Sequence, residues 1–155
     1  MKKINRTDLL IFIVSAELVG AVSALLSGGF GSFYAELVKP PFSPPGWVFP
    51  VVWAVLYAIM GISAYMVYSS ESNSRKTALG VYTAQLAVNF SWSIIFFRFK
   101  LLNAAAVTAV ILAVLVGIMI YCFARIRKSA GLINIPYLLW SIYASYLAIG
   151  TAFLN

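Results

Sequence analysis

Three tryptophans, Trp53, Trp92 and Trp140, lie one or more turns inside long apolar runs, each on a stripe that also carries hydrogen-bonding groups. One stripe is Trp47, Pro50, Trp53, Tyr57, Gly61, Ala64 and Tyr68. A second is Gln85, Asn89, Trp92 and Phe96, and a third is Trp140, Tyr143, Ala144, Leu147 and Thr151. Steps of three and four residues put each set on one helix face. If the faces converge, flat rings with a few polar groups would line an apolar pocket suited to a large planar ligand. Asn89 and the indole N–H groups would then set its orientation. Packing accounts for the same rings. Trp and Tyr gather at membrane interfaces, the expected role of Trp47 at the start of its run. For Trp53, Trp92 and Trp140, interior packing and a ligand pocket both stand open. Gln85 and Asn89, taken alone, read as interhelical hydrogen-bond partners, each such bond contributing about 0.6 to 2 kcal/mol.

Glu17 is the only ionisable side chain deep in an apolar run. Such residues are functional candidates by default. With no buried base to partner it, a structural bond to a Ser, a Tyr or a backbone group is the expectation. The chain has no histidine and a single cysteine, Cys122. Ser-His-Asp catalysis, His-ligated haem and zinc-protease chemistry are therefore excluded, no metal site is expected, and no intrachain disulfide can form.

The elements that position these residues follow from composition. Of 155 residues 63% are hydrophobic and 10% charged, too apolar for a water-soluble domain of this size. Five stretches approach or exceed the roughly 20 apolar residues that a spanning helix needs: about 9–26, 47–68, 77–97, 102–124 and 135–154. The runs are continuous rather than alternating, so helices are preferred to barrel strands. The expected fold is an all-α integral membrane protein, a five-transmembrane-helix bundle forming one domain over residues 1–155. Only the connection 27–46 is long. Five of the six prolines fall between positions 40 and 50, so this loop is stiff, cannot continue the preceding helix, and plants Trp47 and Trp53 at a membrane boundary.

Net charge is +7, but the basic residues sit between apolar runs, which argues against nucleic acid and for juxtamembrane placement beside lipid. Lys2, Lys3, Arg6, Arg75, Lys76, Arg125, Arg127 and Lys128 fall on one side; Lys39, Arg98 and Lys100 fall on the other. The imbalance predicts a cytoplasmic N-terminus, with the proline loop and the C-terminus outside. Val22-Ser23-Ala24 could serve as a signal-peptide cleavage site, but Glu17 interrupts the apolar run, so the first segment is expected to stay as a span. Ala105, Ala109, Ala113 and Gly117 form a small-residue seam on the fourth span, and Ala16, Gly20 and Ala24 a shorter one on the first. Such seams serve close approach within a bundle or between protomers. The fourth span is not expected to supply much of a pocket.

The run Lys39-Pro40-Pro41-Phe42-Ser43-Pro44-Pro45-Gly46-Trp47, followed by Val52-Trp53 and Leu56-Tyr57-Ala58-Ile59-Met60-Gly61, resembles the TspO/MBR family of tryptophan-rich sensory proteins, translocator proteins and peripheral-type benzodiazepine receptors. Leu86-Ala87-Val88-Asn89-Phe90-Ser91-Trp92-Ser93 with Phe96-Phe97, and Pro136-Tyr137-Leu138-Leu139-Trp140, support the likeness, which covers nearly the whole chain. The resemblance, to a bacterial member, implies a five-helix bundle, commonly a homodimer in a cell membrane. It implies binding of tetrapyrroles such as protoporphyrin and of benzodiazepine or isoquinoline-type ligands, with no required cofactor and porphyrin as ligand or substrate. The matching pocket positions are Trp53, Tyr57, Asn89, Phe90, Ser93, Trp140 and Ala144, with Tyr34, Pro44 and Trp47 from the loop region. Light-dependent porphyrin breakdown in bacterial relatives would make Trp53 and Trp140 the catalytic candidates, because an indole beside an excited porphyrin can donate an electron. A transporter of porphyrins or similar hydrophobic molecules, and a ligand-responsive membrane sensor, are the alternatives. The chain departs from the family at Leu147-Ala148, where many members have Leu-Asn. No basic residue follows Lys128, so the C-terminal sterol pattern is absent.

Overall fold

The computed structural model describes residues 5–28 and 31–155. Lys2 and Lys3 of the basic N-terminal group, and positions 29 and 30 of the long connection, lie outside the described residues. The elements are α1 (Arg6–Leu26), α2 (Gly31–Glu36), α3 (Val48–Tyr68), α4 (Arg75–Ser93) continuing into a π-helical turn (Ile94–Arg98), α5 (Leu102–Ile126), α6 (Lys128–Leu132) and α7 (Ile135–Leu154). Five helices are long and apolar enough to cross a membrane: α1, α3, α4 with its π turn, α5, and α6–α7. There is no strand among the described residues. The expected all-α five-span fold is therefore the observed one.

Local chemistry sets the helix ends. The Asn5 side chain accepts hydrogen bonds from the Thr7 and Asp8 amides, capping α1. The Asn5 amide donates to the Tyr65 hydroxyl at 2.9 Å, tying the start of α1 to the end of α3. Pro50 falls in the first turn of α3, where a missing N–H costs no intrahelical bond. At the other end of α1, the Arg98 guanidinium donates to the Leu26 carbonyl at 3.3 Å.

Two boundaries differ from the sequence reading. The connection 27–46 is not all loop, because its first half folds into α2; the prolines begin only at Pro40, so nothing before it forbids a helical turn. The third span starts at Arg75 and ends in a π turn, where the Phe99 amide bonds the Ile94 carbonyl at 3.0 Å. The widened turn brings the adjacent Phe96 and Phe97 both into the interior.

Glycines mark the closest approaches. A Cβ on Gly61 would lie 2.6 Å from the Ile13 Cα, so α3 rests on the backbone of α1. The upper half of the α5 seam, Ala105 and Ala109, is buried within the bundle. At Gly117 the seam opens, and an added Cβ would meet nothing within 4 Å. In the half of the bundle away from the proline-rich segment 40–50 the core is Met60, Ala64, Val67, Val116, Met119, Phe123 and Tyr137.

Candidate functional site

A cavity of about 210 Å³ lies between α1, α3 and α4. Helix α1 contributes Glu17, Gly20, Ala21 and Ala24. Phe49, Pro50, Trp53, Ala54 and Tyr57 come from α3, and Asn89, Trp92, Ser93 and Phe97 from α4 and its π turn. The small residues of α1 keep this space open and tightly bounded: a Cβ on Gly20 would lie 2.2 Å from the Tyr57 ring. Two smaller voids adjoin it. One, about 10 Å³, is lined by Trp53 and Trp140 with Ser141 and Ala144; the other, about 20 Å³, reaches Tyr34 and Thr151. Phe49 and Trp92 border all three spaces. Phe49 meets Tyr34 edge-on at 5.3 Å and Trp140 at 6.0 Å between ring centroids, so its ring divides one aromatic interior into compartments.

A buried polar chain forms the inner wall. The Tyr57 hydroxyl donates to Asn89 Oδ1 (3.2 Å), Asn89 Nδ2 donates to the Tyr137 hydroxyl (2.9 Å), and Tyr137 donates to Gln85 Oε1 (2.7 Å). Gln85 Nε2 completes the chain on Met60 Sδ at 3.5 Å. Each group uses its donors and acceptors in a consistent sense, which locks the Asn89 amide with its nitrogen toward Tyr137. The interhelical role expected for Gln85 and Asn89 is thus the observed one, linking α3, α4 and α7, and Asn89 also faces the cavity. Tyr137 is the centre of the chain and is fully buried; sequence reading missed it, because nothing in a run of apolar residues marks one tyrosine as the hub.

Trp53, Tyr57, Asn89 and Ser93 line the main cavity, while Trp140 and Ala144 line the small void behind Trp53. Trp92 Nε1 is taken by the Ala105 carbonyl at 3.0 Å, so that indole holds α5 rather than a ligand. Trp140 Nε1 is buried and, among the described residues, has no hydrogen-bond partner. Phe90 lines none of the three spaces, and its carbonyl accepts from the Ser23 hydroxyl at 2.7 Å. Pro44 lines none of them, and neither does Trp47, which is 69% exposed, as an interfacial anchor would be. Trp53 sits more than a turn inside α3. Glu17 departs most from expectation. It lines the cavity and, among the described residues, makes no hydrogen bond or ion pair. Phe49 was missed although it lies four residues before Trp53, on the same stripe.

The proline loop covers one end of this interior. Its prolines lack N–H groups but keep their carbonyls, and tyrosines supply the donors. Tyr143 bonds the Phe42 carbonyl (2.6 Å), Tyr146 the Pro41 carbonyl (3.0 Å) and Tyr34 the Pro44 carbonyl (3.0 Å). Gly150 lets Pro40 rest on α7, since a Cβ there would lie 2.7 Å from the proline ring. The Asn155 side chain pairs with both backbone groups of Val38. Burial raises the Tyr34 phenol above its ordinary value, keeping it a donor.

The proline loop latched to α7, Trp53 and Trp92 on one cavity and the five spans agree with what comparison with known proteins finds. The TspO/MBR family model matches residues 10–154. The chain belongs to the TspO/MBR family. Among similar members, the tryptophan-rich protein TspO of Chlorobaculum tepidum is 37% identical over 117 residues, covering 74% of each chain. The tryptophan-rich sensory protein of Cereibacter sphaeroides is 33% identical, covering 89% of this chain and 85% of its own. The translocator protein of Bos taurus is 31% identical, covering 88% and 83% respectively. As a TspO/MBR member with five apolar spans, the chain is a multi-pass membrane protein.

Proposed function

We propose that this protein binds tetrapyrroles, protoporphyrin in particular, and benzodiazepine or isoquinoline-type ligands, and that it promotes photooxidative porphyrin degradation. The observation that carries the reading is the convergence of Trp53, Tyr57, Asn89 and Trp92 on one cavity, with Trp140 across a void that Trp53 shares. At about 210 Å³ the cavity is smaller than the roughly 300 to 1,000 Å³ of ordinary ligand sites. A porphyrin therefore requires Phe49 to swing aside and join the compartments, or the proline loop to lift. Trp53 or Trp140 donates an electron to the photoexcited ring, and the reduced ring passes it to dioxygen as superoxide. Superoxide adds to the macrocycle, whose adduct returns an electron to the indole radical. The porphyrin is oxidised, dioxygen is reduced, and the protein supplies proximity and a water-poor site. The family setting supports a homodimer in a cell membrane with a cytoplasmic N-terminus, and the basic residues described at Arg75, Lys76, Arg125, Arg127 and Lys128 support that orientation.

The test is protoporphyrin absorbance and fluorescence with purified protein, first in the dark and then under illumination. Saturable quenching followed by light-dependent loss of the porphyrin bands is expected. The Trp53→Phe/Trp140→Phe double variant should keep binding and lose most of the photochemistry. Full degradation by that variant overturns the redox role. Saturable binding with no loss of the bands transfers the reading to transport or sensing, and no saturable binding removes it altogether.

A further inference from the structure

Glu17 stands eleven residues after Arg6 and nine before Leu26 on α1. At 1.5 Å rise per residue it is about 16 Å from one end of the span and about 14 Å from the other, close to the bilayer midplane. An ionised carboxylate there is costly unless it is paired. No Lys or Arg lines the cavity, and among the described residues Glu17 has no hydrogen-bond or ion-pair partner. Lining the same cavity are the rings of Phe49, Trp53, Tyr57 and Trp92, and the π face of an aromatic ring attracts cations. Asn89 Oδ1 accepts one bond from Tyr57 and keeps a second lone pair. A carboxyl group, several aromatic rings and a free acceptor share one small space, and among the described residues none that lines it supplies the matching positive charge.

The rim adds a route. Ala21 of α1 and Pro50 and Ala54 of α3 line the cavity and are exposed on the outer surface of the bundle. The mouth therefore lies between α1 and α3, facing the lipid, and its small side chains leave it passable. A molecule dissolved in the bilayer can reach Glu17 sideways without lifting the proline loop.

We propose that this cavity is a site for lipophilic amines, in which Glu17 pairs with the ammonium group while Trp53, Tyr57 and Trp92 enclose the apolar body. A cavity of about 210 Å³ suits a bicyclic aromatic amine rather than a porphyrin. The inference rests on reading the cavity as a binding site, not on the tetrapyrrole being its occupant.

The test compares naphthylmethyl-dimethylamine with isobutylnaphthalene, its uncharged isostere, by calorimetric titration in a non-ionic detergent after correction for micelle partition. Wild type, Glu17→Gln and Glu17→Asp proteins are titrated, and protoporphyrin quenching is followed in the same samples. The amine is expected to bind wild type at least about tenfold more tightly than the isostere. It should lose at least about tenfold in Glu17→Gln and less in Glu17→Asp, while the isostere changes less than about twofold. Equal affinity of wild type for amine and isostere overturns the proposal even if Glu17→Gln fails to fold. Equal loss of both compounds in a folded Glu17→Gln protein also overturns it, because Glu17 would then be structural. If protoporphyrin binds and the amine is not preferred, only this inference fails. If neither binds, the reading of the cavity as a ligand site fails with it.

Discussion

Replacing Tyr137 with Phe removes one oxygen and keeps the ring. That oxygen donates to Gln85 Oε1 at 2.7 Å and accepts from Asn89 Nδ2 at 2.9 Å, and both partners are buried. The substitution leaves an acceptor and a donor unsatisfied at once. In a water-soluble protein two such orphans would cost about 2 to 6 kcal/mol. In a bilayer the unfolded reference state also finds partners, and interhelical hydrogen bonds average about 0.6 kcal/mol with a maximum near 1.7. Two bonds then give a loss of about 1 to 3.5 kcal/mol. The assay is unfolding of the detergent-solubilised protein by increasing dodecyl sulfate, followed by tryptophan fluorescence, with free energies obtained by linear extrapolation. Tyr121→Phe is the control, since that ring is 65% exposed, and it should stay within about 0.5 kcal/mol of wild type. The Tyr137→Phe/Gln85→Leu pair should be less destabilised than the sum of its members, by about 0.5 kcal/mol or more, because the two share a bond. Because Tyr137 also holds the Asn89 amide, weaker protoporphyrin binding should accompany the loss of stability. A Tyr137→Phe protein within about 0.5 kcal/mol of wild type, or strict additivity in the double variant, would refute the network as a determinant of the bundle.

Gly61→Ala should destabilise by about 1 to 3 kcal/mol, because its Cβ would fall 2.6 Å from the Ile13 backbone; thermal unfolding in detergent reads this. Gly150→Val should lower the melting temperature and expose the segment around Pro40 to proteolysis, since the added Cβ meets the Pro40 ring at 2.7 Å. Phe49→Ala joins the three compartments and is expected to tighten protoporphyrin binding while costing about 3 to 5 kcal/mol at most in stability; weaker quenching than wild type would count against Phe49 as the divider. Trp47→Phe should leave protoporphyrin affinity within about twofold, as this exposed ring lines none of the three spaces. Raised above its ordinary value of 10.0 by burial, the Tyr34 phenol contributes stability that is complete below pH 10 and is lost as pH climbs through the folded-state value. The stability difference between wild type and Tyr34→Phe should accordingly be constant at neutral pH and shrink in the alkaline range.

Much of the architecture was legible in the chain. Apolar runs long enough to span a bilayer can satisfy their backbone groups only as helices, so span number and approximate limits followed from length and hydropathy alone. The three- and four-residue spacing of Trp53 and Tyr57, and of Gln85 and Asn89, identified faces that do turn inward. Clustered prolines announced a rigid loop. Helix periodicity, however, says which residues share a face and not which faces meet. Only the packed bundle decided that Trp53 and Tyr57 look across at α1, that Trp140 sits in a separate small void, and that Trp92 spends its N–H on the Ala105 carbonyl. It likewise decided that Phe90 and Pro44 act through their carbonyls. Tyr137 became the polar hub, and Glu17 was left facing a cavity with no hydrogen-bond or ion-pair partner among the described residues, because hydrogen bonds between helices depend on axial offset and rotation, and these are set by contacts such as Gly61 on Ile13 and Gly20 on Tyr57. The membrane's demand for internal hydrogen bonding determined that this chain forms five spanning helices; the close packing of its small residues determined where the cavity opens and which side chains face it.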